Sequence, residues 1–458
     1  MTSRYKRFDL KDRSLLENKI EELSLELPLS DSLAILGESY SLGAKKLKNR
    51  LVVHPMEGCD GAADGSPTEL IYRRYSRFAK GGSGLLWVEA CAVCHEGRAN
   101  PRQLYIHEEN KEEFKKLVDF IRKEAEGEVY LVLQLTHSGR YAKPTKEGPA
   151  VVATQNPYLD KFLPPKSGPI SDAELDELQN QFVEAAKLAK YAGFDAVDVK
   201  ACHRYLNNEL LSAFERPGRY GGSYENRTRF LFETVQKIRD AVNIDLAVRM
   251  NAYDEIPYPF GFGVDKEDFH KRDLSEAKRI VATLYDLGVR LVNITGGNPY
   301  YNPHVNRPYD VGTYTPPFHP LENVYKLLDS ARQIKAAVPA MTILATGFTW
   351  LREYGANMAA ACVEKGWFDL AGFGRQAFAY PDFAADITEK GEMVRSKCCI
   401  TCSKCTVIMR DGGTTGCVIK DSQVYLPIYN KGREGKPALT MERPGESIDP
   451  ERPVSQVF

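Results

Sequence analysis

From residue 50 onward, short runs of apolar, β-prone residues alternate with longer segments of helical period. The runs fall at residues 51–55, 84–90, 129–135, 194–200, 244–250, 289–295, 342–347 and 368–374. They are apolar almost throughout, which is the pattern of parallel strands buried on both faces. The segment SDAELDELQNQFVEAAKLAKYAG opens with a Ser171-x-x-Glu174 capping box and stops at Gly193, the start and stop signals of a helix. Eight strand–helix repeats predict an α/β chain folded as a closed (β/α)8 TIM barrel rather than an open doubly wound sheet. No Gly-x-Gly-x-x-Gly follows the first run, which also weighs against a dinucleotide-binding opening. The expected organisation is an N-terminal arm at 1–38, the barrel at 39–390, a cysteine-rich segment at 391–425 and a tail at 426–458.

A barrel of this kind carries its chemistry at the C-terminal ends of its strands. The fourth strand runs out at Lys200, His203 and Tyr205, which are usually a cation, a group titrating near neutrality and a phenol. Together they can grip a polarised carbonyl or carboxylate and supply a proton. Arg249, ending the fifth strand, is a buried cation in need of an anionic partner. Gly347, Gly374 and Arg375, at the last two strand ends, suit a phosphate, because small residues let backbone N–H groups approach an anion. The long Pro-, Tyr- and Asn-rich connection at 295–320 offers Tyr300, Tyr301 and Tyr314 as an aromatic wall.

Composition narrows the partners. The net charge is −1, so no basic excess argues for nucleic acid or an anionic membrane surface. No stretch is apolar for long enough to span a bilayer, and the N-terminus lacks a signal-peptide pattern, so a soluble, cytoplasmic protein is expected. Five of the ten cysteines fall between Cys398 and Cys417. The spacing Cys399-x2-Cys402-x2-Cys405-x11-Cys417 offers four thiolates, enough for a [4Fe–4S] cluster. Zinc is the rival, although zinc ribbons usually show two Cys-x-x-Cys knuckles and here the fourth ligand stands alone.

The passage His203-Arg204-Tyr205-Leu206, followed by Tyr-Gly-Gly-Ser-Tyr-Glu-Asn-Arg at 220–227, resembles the Old Yellow Enzyme family of flavin-dependent oxidoreductases. The resemblance covers roughly residues 40 to 385 and implies bound FMN. It puts Pro55, Met56 and Glu57 beside the flavin, the Ala90 backbone and the Gln134 amide at its pyrimidine edge, and Arg249 beside N1–C2=O. It puts Gly347, Gly374 and Arg375 on the phosphate. Three positions depart from the family: Lys200 replaces the first substrate-gripping His, Arg204 replaces a Gly, and Glu57 replaces a Thr or Cys. The cysteine segment resembles the iron–sulfur branches of 2,4-dienoyl-CoA reductase and trimethylamine dehydrogenase. Their flavodoxin-like and nucleotide-binding domains are not expected in the roughly forty residues after Cys417.

The expected function is ene-reduction: hydride from FMN to an activated C=C bond, with Lys200 and His203 holding the carbonyl and Tyr205 aiding protonation. The alternatives are an amine dehydrogenase or demethylase passing electrons out through the cluster, and a non-catalytic electron-relay subunit. Electrons would come from NAD(P)H or from a carrier such as a ferredoxin or an electron-transfer flavoprotein. A small-molecule substrate and a second copy of the chain complete the expected partners.

Overall fold

Eight short strands close on themselves. They are β1 (Leu51–Val53), β2 (Leu85–Ala92), β3 (Tyr130–Thr136), β4 (Ala196–Val199), β5 (Asp245–Tyr253), β6 (Leu291–Gly296), β7 (Thr342–Ala345) and β8 (Leu370–Phe373). Each pairs in parallel with the next, and β8 pairs with β1. The (β/α)8 expectation holds, and the strand limits differ from the sequence reading by at most three residues. This computed structural model describes residues 11–126, 129–145 and 149–435. The first ten residues of the expected arm and the tail from 436 lie outside the described residues.

The helices after the strands are α1 (Glu69–Lys80), α2 (Lys111–Glu124), α3 (Asp172–Ala192), α4 (Tyr224–Ala241), α5 (Ser275–Asp286), α6 (Pro320–Ala337), α7 (Tyr354–Glu364) and α8 (Phe383–Lys390). Local chemistry sets their ends. The Ser171 hydroxyl accepts the Glu174 N–H while the Glu174 carboxylate accepts the Ser171 N–H, closing the capping box on α3. Gly193 then ends α3 at φ +96°, a left-handed stop that glycine takes without strain. Ser223 caps α4 by accepting the Asn226 N–H.

The barrel floor is closed by a hairpin that the sequence reading missed. Its strands, Tyr40–Leu42 and Lys45–Leu47, pair antiparallel. Leu42 and Leu47 pack beneath Val52, Leu85, Trp87 and Leu370. The hairpin strands are too short to show a period.

Past α8 come α9 (Lys404–Arg410) and α10 (Ser422–Arg433). Ile408, Val424, Tyr425 and Ile428 form a small apolar cluster with Leu70 of α1. Asp421 pairs with both Arg73 and Arg77 of α1. Among the described residues no helix is long and apolar enough to cross a membrane.

Candidate active site

The fourth strand delivers its side chains through an unusual bend. β4 stops at Val199, and His203 and Arg204 then both take left-handed backbone, at φ +65° and +60°. For non-glycine residues this conformation costs about 1–2 kcal/mol each. Buried partners hold it. The His203 N–H donates to the Asn251 side chain (3.2 Å) and the Arg204 N–H to that of Asn208 (2.7 Å). Glycine would take this backbone at 204 without strain. The Arg204 side chain takes no part in the mouth: its guanidinium is fully buried and pairs with Asp254 at 2.9 Å.

At the mouth, Lys200, Tyr205 and Glu57 form one network. The Lys200 Nζ lies 3.6 Å from the centroid of the Tyr205 ring and 3.7 Å from Glu57 Oε1. Burial holds Lys200 below the ordinary lysine range, and Glu57 opposes that. The Tyr205 hydroxyl donates to Glu57 Oε1 (3.0 Å) and lies 3.0 Å from the Tyr300 hydroxyl. Burial, then Glu57 and Tyr300, keep Tyr205 well above the ordinary phenol range, so it stays protonated at neutral pH. The Gln103 amide donates to the same Glu57 oxygen (3.2 Å), and Tyr141 stacks on Tyr300 at 3.9 Å.

His203 differs from the charged group entertained from sequence. Burial, with Arg249 and Lys200 nearby, pushes it well below the ordinary imidazole range. It is a neutral ring whose buried Nε2 has no partner among the described residues.

A single cavity joins these residues to a second group of cations. Lys200, His203, Tyr205, Gln134 and Arg249 border it, and so do Arg307, Arg375 and Arg410. Arg249 is buried, and its side chain donates to the Pro55 carbonyl at 3.3 Å, while its Nε has no partner among the described residues. Arg375 donates to the Pro308 carbonyl (2.6 Å), and its Nη1 is buried without a partner. Among the described residues no carboxylate lies within ion-pair distance of Arg249, Arg307 or Arg375. Buried cations without counter-charges are costly, so this cavity fits an elongated anionic group, and FMN has that form.

The lower wall fits the flat end of such a group. Asp198, buried beneath the cavity, accepts from Gln134 Nε2 (2.6 Å), Trp87 Nε1 (3.0 Å) and the Arg249 N–H (2.7 Å), which fixes the Gln134 amide. The pairing of β2 with β3 slips between Val88 and Cys91, so Ala90 sits in a bulge with its backbone outside the regular ladder. Ala90, Gly347 and Gly374 do not themselves border the cavity, whereas Pro55, Met56 and Glu57 do. A Cβ at 374 would come within 2.9 Å of Met56 Sδ, so the flexible Met56 side chain would have to shift.

The four spaced cysteines share one segment, all free and half-buried. Burial pushes the Cys399 thiol up to about 12, and nearby Cys405 and Cys417 add to this. Cys399 Sγ accepts the Thr401 N–H (3.4 Å) and Cys417 Sγ the Lys420 N–H (3.3 Å). Thr401 and Ser403 between them are both left-handed, at φ +48° and +57°. Among the described residues no three His, Cys, Asp or Glu side chains converge as a metal-holding group. The donor chemistry fits iron or zinc, though the thiols do not form a closed set. Cys398 is fully buried in the main core, its thiol directed at the Val394 carbonyl (3.6 Å), whereas Cys399 is half-buried.

Sequence reasoning missed Gln103, Tyr141 and Arg307, which reach the site from loops with no periodic signal. Of the tyrosines expected as a wall, Tyr300 borders the cavity; Tyr301 and Tyr314 do not, and the Tyr314 hydroxyl instead meets His304 at 2.5 Å.

The family described as NADH:flavin oxidoreductase / NADH oxidase matches residues 38–277. The chain is 32% identical to an NADPH dehydrogenase of Geobacillus sp. (strain WCH70), over 57% of this chain and 73% of that protein. In fold it is similar to a 2-naphthoyl-CoA reductase in complex with 2-naphthoyl-CoA, with a TM-score of 0.64, 23% identity and coverage of 78% of this chain and 52% of that one. It is also similar to histamine dehydrogenase from Rhizobium sp. 4-9, with a TM-score of 0.66, 20% identity and coverage of 84% and 52%. The chain therefore spans about half the length of these two structures.

Proposed function

Because this chain belongs to the NADH:flavin oxidoreductase / NADH oxidase family of FMN-dependent oxidoreductases, we propose that it reduces an activated C=C bond of an enoate- or enone-type small molecule. The observation that carries this reading is the pairing of the Lys200 ammonium with the unpartnered Nε2 of a neutral His203 in one cavity. Two donors there would grip a carbonyl or carboxylate oxygen and draw electron density from the conjugated alkene. Bound FMN supplies the hydride. Tyr205 aids protonation of the adjacent carbon, and Tyr300 at 3.0 Å is the route by which its proton is replaced. Arg249 and Gln134 hold the polar edge of the flavin, with Pro55, Met56 and Glu57 beside the ring and Ala90 offering its backbone. Arg375 holds the phosphate, with Gly347 and Gly374 shaping the strand ends behind it. We assign the barrel, residues 39–390, to FMN binding.

Glu57 and the stacked tyrosines favour a second reading, oxidation of an amine, because aromatic faces beside a carboxylate attract ammonium groups. Histamine dehydrogenase shares the fold. Against this, the protein's own Lys200 already occupies the cation seat over Tyr205, at 3.6 Å. Cys399, Cys402, Cys405 and Cys417 are proposed to hold a [4Fe–4S] cluster. Electrons would arrive from NAD(P)H or from a carrier protein such as a ferredoxin.

The test is single-turnover reoxidation of the reduced holoprotein by an enoate. His203→Ala should slow it about a hundredfold and Tyr205→Phe about tenfold or more. Unchanged rates in both variants would overturn the assignment. Iron, sulfide and zinc measured on anaerobically purified protein decide the metal, with about four irons per chain expected.

A further inference from the structure

The cavity holds two cations beyond those the functional reading assigned, Arg307 and Arg410. Arg307 comes from the loop after β6, and no carboxylate approaches it among the described residues. It faces Arg375 closely enough that burial and this like charge push it down to about 10. Two arginines that repel one another across a cavity mark a place for an anion. The same cavity holds Arg249 and Gln134, so an elongated ligand with a flat end and a phosphate end would set its phosphate here.

Arg307 has a second attachment. Its Nη1 donates to the Thr406 hydroxyl (2.6 Å), on α9 beside Cys405. The neighbouring loop residues add to the link: the Asp310 N–H donates to the Thr401 hydroxyl (3.3 Å), and the Pro308 carbonyl accepts from Arg375 (2.6 Å). One loop therefore touches both the phosphate site and the cysteine segment.

We propose that Arg307 is a second cation of the FMN phosphate site, and that its bond to Thr406 makes FMN loading and seating of the cysteine segment a single event. The inference rests on the flavin reading above. Without an anion, Arg307 and Arg375 repel one another across the cavity. With a phosphate between them, Arg307 is drawn into the site while its other edge holds α9. A planar guanidinium can serve both acceptors at once, whereas an ammonium cannot do so with the same geometry.

The test compares FMN with riboflavin, which lacks the phosphate, by titrating flavin-stripped protein and following flavin fluorescence. Arg307→Met should reduce the FMN-over-riboflavin preference about tenfold, the worth of one charge-assisted contact. Riboflavin affinity should stay unchanged, which shows the variant is folded. FMN, and not riboflavin, should slow tryptic cleavage after Lys404 and Arg410 in the unaltered chain. Thr406→Val should abolish that protection while leaving FMN affinity within about threefold. An unchanged FMN-over-riboflavin ratio in Arg307→Met, or protection that persists in Thr406→Val, overturns this inference alone. If the unaltered chain binds neither flavin, the functional reading falls with it.

Discussion

The two ends of the barrel are built on opposite principles. At the floor, Leu42 and Leu47 of the hairpin seal an apolar layer with Val52, Leu85 and Trp87. At the mouth, Lys200, Arg249, Arg307 and Arg375 border one cavity, and the unpartnered atoms include Arg249 Nε, Arg375 Nη1 and His203 Nε2. The floor is complete by itself. The mouth is an arrangement that the chain alone leaves unsatisfied, so its residues make sense as half of a complex. Stability and affinity are thus separated along the barrel axis.

The largest effect is expected at the floor. Leu42→Ala should cost about 3 kcal/mol in denaturant unfolding, by lost burial and the cavity left behind. FMN affinity per folded molecule should be unchanged; a large fall would mean that the two ends are coupled. The mouth should respond the other way. Arg249→Met should weaken FMN binding by about 2 kcal/mol, close to thirtyfold, while raising the melting temperature of the flavin-free protein. A flavin-free variant less stable than its parent would show that Arg249 is structural.

Acid should also separate the ends. His137, His304 and His319 are held down to about 4 by burial, and His54 and His203 well below their ordinary range. Between about pH 6.5 and 4 the unfolded chain binds these protons and the folded chain does not. Stability should therefore fall as pH drops through that window, by up to about 1.4 kcal/mol per pH unit for each histidine. Asp198, raised to about 6 by burial, works against this in the same window, as do Glu89 and Glu322, which burial also raises, but these are three carboxylates against five imidazoles. Urea midpoints measured from pH 7 to 4.5 give the sign, and a midpoint that rises on acidification refutes it.

The smallest effect is expected from Glu57→Gln. This loses one charge beside Lys200 and keeps an acceptor for Tyr205, so FMN binding should change by less than about 1 kcal/mol. The pH profile of enoate reduction should nonetheless shift, because Glu57 opposes the burial that lowers Lys200. An identical profile would detach Glu57 from the chemistry.

The sequence makes the strands and the fourth strand end legible because both are local. Buried parallel strands are apolar runs, and Lys200, His203 and Tyr205 lie within six positions of one another. The Ser171 and Ser223 caps are legible for the same reason. Gln103, Tyr141 and Arg307 could not be read, since each stands on a loop whose path is set by tertiary packing. Arg307 lies in a connection whose sequence signal is its tyrosines, and of Tyr300, Tyr301 and Tyr314 only Tyr300 reaches the cavity. The neutral state of His203 was equally hidden, because it depends on burial beside Arg249 and Lys200.

The Gly58 peptide, one residue past Glu57, is held from two directions. Its N–H donates to Glu89 of β2 (2.6 Å), and its carbonyl accepts from the Thr414 hydroxyl (3.0 Å) and the Thr415 N–H (2.6 Å). Any Cβ on Gly58 would collide with the Arg74 guanidinium, itself buried between Asp60 and Glu89. An engineer wishing to graft another module onto this barrel by excising residues 391–435 would therefore also unroof a buried charge triad and release the backbone that aims Glu57. The cysteine segment behaves less like an attachment than like a keystone, and a transplant would have to carry Thr414 and Thr415 with it.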